Sequence, residues 1–151
     1  MSLVQTRPLK DSTILLIEDE RIIAEHVTRM LSRAGVGKIL HVRTAEEAWE
    51  KLFGKDRQAI HCLIVDLILP GVNGATLIQK LRETKQPAAL AMPIVVLTGR
   101  NDVNTFKSVS PYRIGAYLIK PCSDDQLRKA VEDAMGGRIV STAPQPTLLN
   151  K

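Results

Sequence analysis

The chain has 151 residues, of which 44% are apolar and 25% charged, and its formal net charge is +5 at pH 7. This length predicts one domain with its own core, and the composition is ordinary for a globular protein rather than a disordered or fibrous one. No apolar run approaches the roughly 18 residues that span a bilayer, and the first residues lack the pattern of a signal peptide.

The distribution of basic residues, aromatics and cysteines disfavours two further classes, nucleic-acid-binding proteins and proteins with a cysteine metal site. Lysines and arginines are scattered among acidic residues, and aromatics make up only 3% of the chain, so we expect no direct binding of nucleic acid. Cys62 and Cys122 share no metal-type spacing with each other or with the histidines, and we expect a reducing, cytoplasmic setting. His26, His41 and His61 are interpreted as structural or surface residues.

Strand-like and helix-like patterns alternate along the first half of the chain. Residues 14–17 predict a strand, and Gly35 ends the helix that follows, whose apolar residues recur at helical spacing: Ile22, Ile23, Val27, Met30 and Leu31. Residues 39–42 predict a short second strand. Thr44 and Glu47 have the spacing of a capping box, which opens a helix with Trp49 in its apolar stripe.

The second half continues this alternation. Residues 63–65 predict a third strand, and residues 75–81 a third helix after the loop at 70–74. Pro87 and Pro93 bracket the connection to a fourth strand at 94–97. A fourth helix within residues 102–109 is truncated by Pro111. Residues 117–119 predict the fifth strand.

The end of the chain divides into a helix and a tail. Ser123 and Gln126 form a second capping box, and Gly136 ends the helix that it opens. We therefore expect an N-terminal extension at 1–10, one folded domain at 11–136 and a flexible tail at 137–151. Five alternating strands and helices predict a doubly wound α/β fold with helices on both faces of a parallel sheet.

Four of the predicted strands end on polar residues whose chemistry is complementary: Glu18 and Asp19, Asp66, Thr98, and Lys120. In such sheets ligands bind at the carboxyl ends of the strands, so we expect these side chains to converge. The Asp66 carboxylate can attack phosphorus to give an acyl phosphate. Its acidic neighbours would repel it unless a cation such as Mg²⁺ lay between them. Lys120 and Thr98 would contact phosphoryl oxygens, so the pattern predicts phosphoryl transfer.

The same segments resemble the receiver (CheY-like) domain of two-component response regulators. The resemblance covers about residues 11–136 and rests on IEDE at 17–20, VDLILPGVNG at 65–74, LTG at 97–99 and YLIKP at 117–121. It implies the flavodoxin-like sheet with strand order 2-1-3-4-5. It also implies a signalling phosphoacceptor that catalyses only its own phosphorylation and dephosphorylation.

The resemblance assigns a role to each site residue. Asp66 would accept the phosphoryl group of a phosphohistidine on a sensor histidine kinase or a histidine phosphotransfer protein. Mg²⁺ would be held by four groups: Glu18, Asp19, Asp66 and the backbone carbonyl of Ile68. Lys120 would contact the phosphoryl group, and the peptide bond before Pro121 would be cis. Thr98 and Tyr117 would form the switch that changes a protein-binding surface, in a monomer or a phosphorylation-dependent dimer.

One departure from the family pattern concerns the segment before the fifth strand. Members usually have two residues between a Gly-Ala pair and the aromatic, whereas Gly115 and Ala116 directly precede Tyr117. We therefore expect a short or displaced fourth helix and an unusual output surface. A separate hypothesis is that Ile68, which with Arg100 would flank the path of attacking water, shields the acyl phosphate from hydrolysis.

Several alternatives remain open. The same chemistry would serve a phosphorelay intermediate or a receiver cut from a larger hybrid kinase or regulator. A phosphate-independent interaction module is disfavoured by the complete set of site residues. A flavin carrier would need a Gly/Ser/Thr-rich loop in place of the acidic residues after the first strand, and an Asp-dependent phosphatase would need a second carboxylate where Ile68 stands.

Overall fold

The computed structural model describes residues 7–140 and consists of one parallel sheet covered by helices on both faces. The sheet has the order β2-β1-β3-β4-β5. Its strands are β1 Thr13–Ile17, β2 Lys38–Val42, β3 Cys62–Val65, β4 Ile94–Thr98 and β5 Ala116–Ile119. All four strand pairs are parallel. The predicted fold class and strand order are therefore confirmed.

The helices divide the core into two halves. They are α1 Arg21–Arg33, α2 Ala45–Phe53, α3 Gly74–Glu83, α4 Pro87–Ala91, α5 Val103–Lys107 and α6 Asp124–Met135. Alternate strand residues point to opposite faces of the sheet. Leu15 and Ile17 accordingly pack with α2 and α3, whereas Ile14 and Leu16 pack with α1 and α6.

The two predicted helix caps form, although one differs in detail. At α6, the Ser123 hydroxyl accepts the N–H of Gln126 and the Gln126 side chain accepts the N–H of Ser123, as a capping box requires. At α2, Thr44 accepts the N–H of Glu47, but the Glu47 carboxylate accepts the N–H of Arg43 instead of that of Thr44. The donor that Glu47 satisfies thus lies one residue earlier than predicted.

Two local expectations are corrected by tertiary position, and one helix appears that the sequence did not predict. Ile22, which the helical period places in the buried stripe of α1, has 80% of its surface exposed. The apolar run of β5 predicts burial on both faces, but its residues are only half-buried because β5 is an edge strand. The connection between the two prolines contains helix α4, which begins at Pro87, a position where proline costs no hydrogen bond.

The predicted fourth helix corresponds to α5 and is short, as expected. It has five residues and is followed by a 3₁₀ turn at Ser110–Tyr112. The turn ends at Arg113, whose φ of 51° lies in the left-handed region. Phe106 anchors α5 with 2% of its surface exposed.

A single guanidinium joins α3 to the segments that precede β4 and β5. Arg82 donates hydrogen bonds of 2.8 to 3.2 Å to five backbone carbonyls, those of Ala89, Leu90, Met92, Tyr112 and Arg113. Burial, together with the charge of Arg113, lowers the pKa of Arg82 to about 10. These carbonyls lie before the amino ends of β4 and β5, at the edge of the sheet opposite to the carboxyl ends.

The ends of the described segment pack against the domain. Leu9 packs against the half of the core that contains α1 and α6, and the Val140 N–H donates to the Ile114 carbonyl. Residues 1–6 and 141–151, on which part of the predicted extension and tail falls, lie outside the described residues, and the division at 10 and 136 stays a prediction. None of the helices within residues 7–140 combines the length and the hydropathy of a membrane span.

Candidate functional site

The strand register brings the predicted site residues to one edge of the sheet. Asp66 follows β3 and donates its N–H to the Ile17 carbonyl at the end of β1, at 3.0 Å. Lys120 follows β5 and donates its N–H to the carbonyl of Thr98 at the end of β4, at 2.8 Å. The residues at the carboxyl ends of β1, β3, β4 and β5 therefore lie close together at this edge of the sheet.

Three carboxylates form a compact cluster at this edge. One oxygen from each of Glu18, Asp19 and Asp66 lies within 4.8 Å of the others. Glu18 is 1% exposed and Asp66 6% exposed, so water screens their mutual repulsion poorly. Burial raises the pKa of Glu18 above its ordinary value, and the hydrogen bond from Lys120 opposes this shift.

Lys120 lies between two of these carboxylates. Its ammonium is 2.6 Å from Glu18 Oε1 and 3.0 Å from Asp66 Oδ2. Burial by itself would lower the pKa of Lys120, but the hydrogen bonds to Glu18 and Asp66 outweigh it and the pKa is raised. The peptide bond from Lys120 to Pro121 is cis, as the resemblance implied.

The donor set suits a small divalent cation. Three carboxylates and one ammonium carry a charge of −3 + 1 = −2, and carboxylate oxygens are hard ligands of the kind that Mg²⁺ prefers. Ile68 donates its N–H to Asp66 Oδ1 at 3.0 Å, which fixes the backbone beside the cluster. The Ile68 side chain is 55% exposed.

Thr98 and Tyr117 are linked through the backbone of Arg100. Fully buried Thr98 accepts the Arg100 N–H through its hydroxyl oxygen at 3.3 Å, and the Tyr117 hydroxyl donates to the Arg100 carbonyl at 3.0 Å. The Tyr117 ring packs edge-on against Phe106, with 5.2 Å between ring centroids. Burial raises the pKa of Tyr117 to about 12.

Two residues at the end of β2 support the acidic pair, and no sequence pattern predicts that they do so. His41 Nε2 lies 2.7 Å from the carbonyl oxygen of Glu18, and since a carbonyl only accepts, this nitrogen carries the proton. Arg43 donates to the carbonyl of Asp19 at 3.1 Å. The interpretation of His41 as structural is correct, but the contact itself depends on β2 lying beside β1.

The position of Gly74 has a steric cause. A Cβ at this residue would collide with the backbone oxygen of Asp66 and lie 2.8 Å from Leu67 Cα. Only glycine lets the first turn of α3 approach the end of β3 this closely. The 70–74 loop thereby holds the backbone of Asp66 in place.

The family is decided by a comparison with known proteins. A family model described as the response regulator receiver domain matches residues 14–132. The chain belongs to this family. It is thus a receiver domain of two-component signalling, and that prediction is confirmed.

Known relatives agree with this assignment and differ in length. The receiver is 30% identical over 124 residues to a probable methanogenesis regulatory protein, FilR2, of Methanothrix harundinacea, covering 80% of this chain and 79% of that protein. It is also 30% identical over 122 residues to the transcriptional regulatory protein YesN of Bacillus subtilis. That match covers 80% of this chain but only 31% of YesN.

A solved structure shares the fold. The receiver domain of sensor histidine kinase PA1611 from Pseudomonas aeruginosa, crystallised with magnesium in its active-site cleft, superposes with a TM-score of 0.72. The match covers 83% of this chain and 98% of that one at 22% identity. The matched receivers therefore belong both to a regulatory protein and to a kinase.

Proposed function

We propose that this receiver accepts a phosphoryl group on Asp66 from the phosphohistidine of a sensor histidine kinase or a histidine phosphotransfer protein. The observation that carries the proposal is the position of the Asp66 carboxylate. It lies against the Lys120 ammonium and within 4.8 Å of two further carboxylates, at the edge of the sheet where ligands bind. Phosphoryl transfer depends mainly on such positioning and charge neutralisation.

In the proposed step, an oxygen of Asp66 attacks phosphorus and the phosphorus–nitrogen bond to the donor histidine breaks. The electron pair of that bond returns to the imidazole nitrogen, and a proton on the other ring nitrogen lets the ring leave neutral. An acyl phosphate remains on Asp66. Lys120, held 3.0 Å from Asp66, would contact an oxygen of the arriving phosphoryl group.

We propose Mg²⁺ as the metal, held by the carboxylates of Glu18, Asp19 and Asp66 and the backbone carbonyl of Ile68. The support is the donor set of this chain, whose residual charge of −2 a dication would neutralise. When bound, such an ion offsets charge on transferring phosphoryl oxygens. PA1611 carries magnesium in its own cleft.

The proposed switch connects Asp66 to the surface through Thr98 and Tyr117. A phosphoryl group on Asp66 would attract the Thr98 hydroxyl, which now accepts the Arg100 N–H. Since the Tyr117 hydroxyl is bonded to the carbonyl of that same Arg100, a shift of this loop changes the position of the ring. The shift of population is limited by the difference in phosphoryl contacts between the two states.

The short α5 affects the surface that partner proteins would recognise when the switch changes state. The helix between β4 and β5 is limited to Val103–Lys107, and we propose that the surface that partners read is therefore smaller than is usual for the family. A phosphorelay intermediate would use the same site and then pass its phosphoryl group to another histidine. We propose the signalling switch first and the relay second. In either case the protein acts in the cytoplasm, as a monomer or phosphorylation-dependent dimer, and catalyses only its own phosphorylation and dephosphorylation.

The proposal is tested by incubating the protein with a small phosphodonor and Mg²⁺ and measuring its intact mass. Wild type is expected to gain the mass of one phosphoryl group, whereas Asp66→Asn is expected to gain none because an amide is not a nucleophile for phosphorus. Asp56→Asn, in an exposed loop, is the matched control. Labelling of Asp66→Asn to the wild-type extent would overturn the proposal. Phosphotransfer proteins added to labelled protein then separate relay from signalling.

A second prediction concerns the lifetime of the acyl phosphate. Ile68 is 55% exposed beside Asp66, and its apolar side chain gives no hydrogen bond to an approaching water. Ile68→Asn would orient that water, so we expect hydrolysis to accelerate by about tenfold, less than a full general base supplies. The measurement is loss of label over time after the donor is removed. Ile139→Asn, also at an exposed isoleucine, should leave the lifetime unchanged. An unchanged lifetime in Ile68→Asn would refute shielding by Ile68.

A further inference from the structure

A cleft with basic walls lies between α1 and the end of β2, outside the acidic cluster. Its volume is about 550 Å³, within the range of small-molecule sites. Arg21 and Arg29 of α1 line one side, and His41 and Arg43 line the other. The phosphoryl chemistry proposed above uses none of these four side chains on substrate.

The charges in the cleft favour an anion. Three arginines and one glutamate, Glu25, line it, and these four side chains carry a charge of 3 − 1 = +2. Glu25 is already paired with Arg21 at 2.9 Å. Among residues 7–140, the Arg29 guanidinium has no hydrogen-bond or ion-pair partner. The cleft therefore contains uncompensated guanidinium groups.

Two of the basic residues are held in place by the protein. Arg43 uses one nitrogen on the Asp19 carbonyl at 3.1 Å, which leaves its other N–H groups for a ligand. His41 is fixed by its 2.7 Å hydrogen bond to the Glu18 carbonyl. Side chains that are already ordered lose less entropy on binding. The arrangement is thus more than a set of mobile surface charges.

We propose that this cleft binds a small ligand carrying a diphosphate group. Guanidinium groups match phosphate oxygens in a bidentate manner, and arginines on two elements could contact adjacent phosphates. The Thr28 hydroxyl adds a neutral donor, and the side chain of Ala24 gives the cleft an apolar floor. Inorganic pyrophosphate and the diphosphate of a nucleotide share this chemistry.

The test is a titration of the full chain with inorganic pyrophosphate, followed by ¹H–¹⁵N NMR at constant ionic strength. EDTA is present, so that the result is independent of metal and of phosphorylation at Asp66. We expect saturable shifts at the backbone amides of Thr28, Arg29, His41 and Arg43. Arg29→Gln should weaken binding about tenfold, the loss of one charged hydrogen-bonding group. Since Arg29 is exposed, this variant should keep the wild-type spectrum without ligand.

A matched charge variant separates binding in this cleft from general attraction between an anion and a basic protein. Lys107→Gln removes one exposed positive charge from α5, at the other end of the sheet, and should bind as wild type does. Equal weakening by Lys107→Gln and Arg29→Gln, shifts confined to Lys120 and Thr98, or no saturation would overturn the proposal.

Two further ligands identify the class of molecule that the cleft prefers. Tighter binding of a hexaglutamate peptide than of pyrophosphate would overturn the proposal in favour of an acidic protein segment. ADP binding tighter than pyrophosphate would support it and identify a nucleotide. If ADP binds as tightly as pyrophosphate or more weakly, the proposal is supported and the preferred ligand is a diphosphate without a nucleoside.

Discussion

Replacing Lys120 by methionine is expected to slow phosphoryl transfer to Asp66 by on the order of 10²-fold, the effect of removing one preorganised charge-stabilising group. The ammonium lies 3.0 Å from Asp66 and 2.6 Å from Glu18. Without it, no other basic side chain among residues 7–140 pairs with Asp66 to meet the phosphoryl oxygens. The measurement is the rate of mass gain with a small phosphodonor and saturating Mg²⁺.

The same variant should lose stability in a metal-dependent manner. Removing one partner of a buried ion pair leaves uncompensated charge and costs about 3 kcal/mol. A dication in the acidic cluster would replace part of the missing charge, so urea denaturation should show a large deficit in EDTA and a smaller one in Mg²⁺. Lys107→Met, at an exposed position, should change neither rate nor stability. A wild-type transfer rate in Lys120→Met would remove Lys120 from the proposed mechanism.

Replacing Arg82 by methionine is expected to lower the free energy of unfolding by about 3 kcal/mol, because hydrogen bonds from a charged group are lost at several partly buried carbonyls. Within the part of the chain that the structure describes, the guanidinium donates to five carbonyl oxygens and to no carboxylate. Arg82→Lys should recover less than half of the loss, since an ammonium has three donors and no planar fork. Urea denaturation monitored by circular dichroism measures both variants.

The location of Arg82 allows its effect on stability to be separated from phosphoryl transfer to Asp66. Its acceptors precede the amino ends of β4 and β5, whereas Asp66 and Lys120 follow the carboxyl ends of their strands. At a temperature where Arg82→Met is folded, its phosphorylation should therefore match wild type. Arg57→Met replaces an exposed side chain whose one hydrogen bond among the described residues goes to the Gly54 carbonyl at 3.4 Å, and it should stay within about 0.5 kcal/mol of wild type. A similar loss in Arg57→Met and Arg82→Met would show that the carbonyl cluster is not the cause.

The residues that converge on the candidate site could be predicted because each directly follows an apolar strand. A parallel α/β sheet places the carboxyl ends of its strands together, so Glu18, Asp66 and Lys120 had to meet once the alternation of strands and helices was recognised. The cap at Ser123 was also predictable, because it depends on residues only three positions apart.

The exposure of particular side chains was less predictable from the sequence. Ile22 fits the helical period, but whether its side chain meets a neighbour depends on how α1 lies on the sheet, and it is 80% exposed. The half-burial of β5 follows from its place at the edge, which no property of its own residues indicates.

Local periodicity and motifs within single segments were enough to predict the alternation of elements, the family and the residues that gather at the acidic edge. Two sets of contacts became visible only in the folded chain: His41 and Arg43 bond to the carbonyls of the acidic pair, and Arg82 joins three segments. These contacts link residues that are distant along the chain or meet across strands. Their partners are backbone carbonyls, which every residue carries, so no side-chain pattern identifies them in advance.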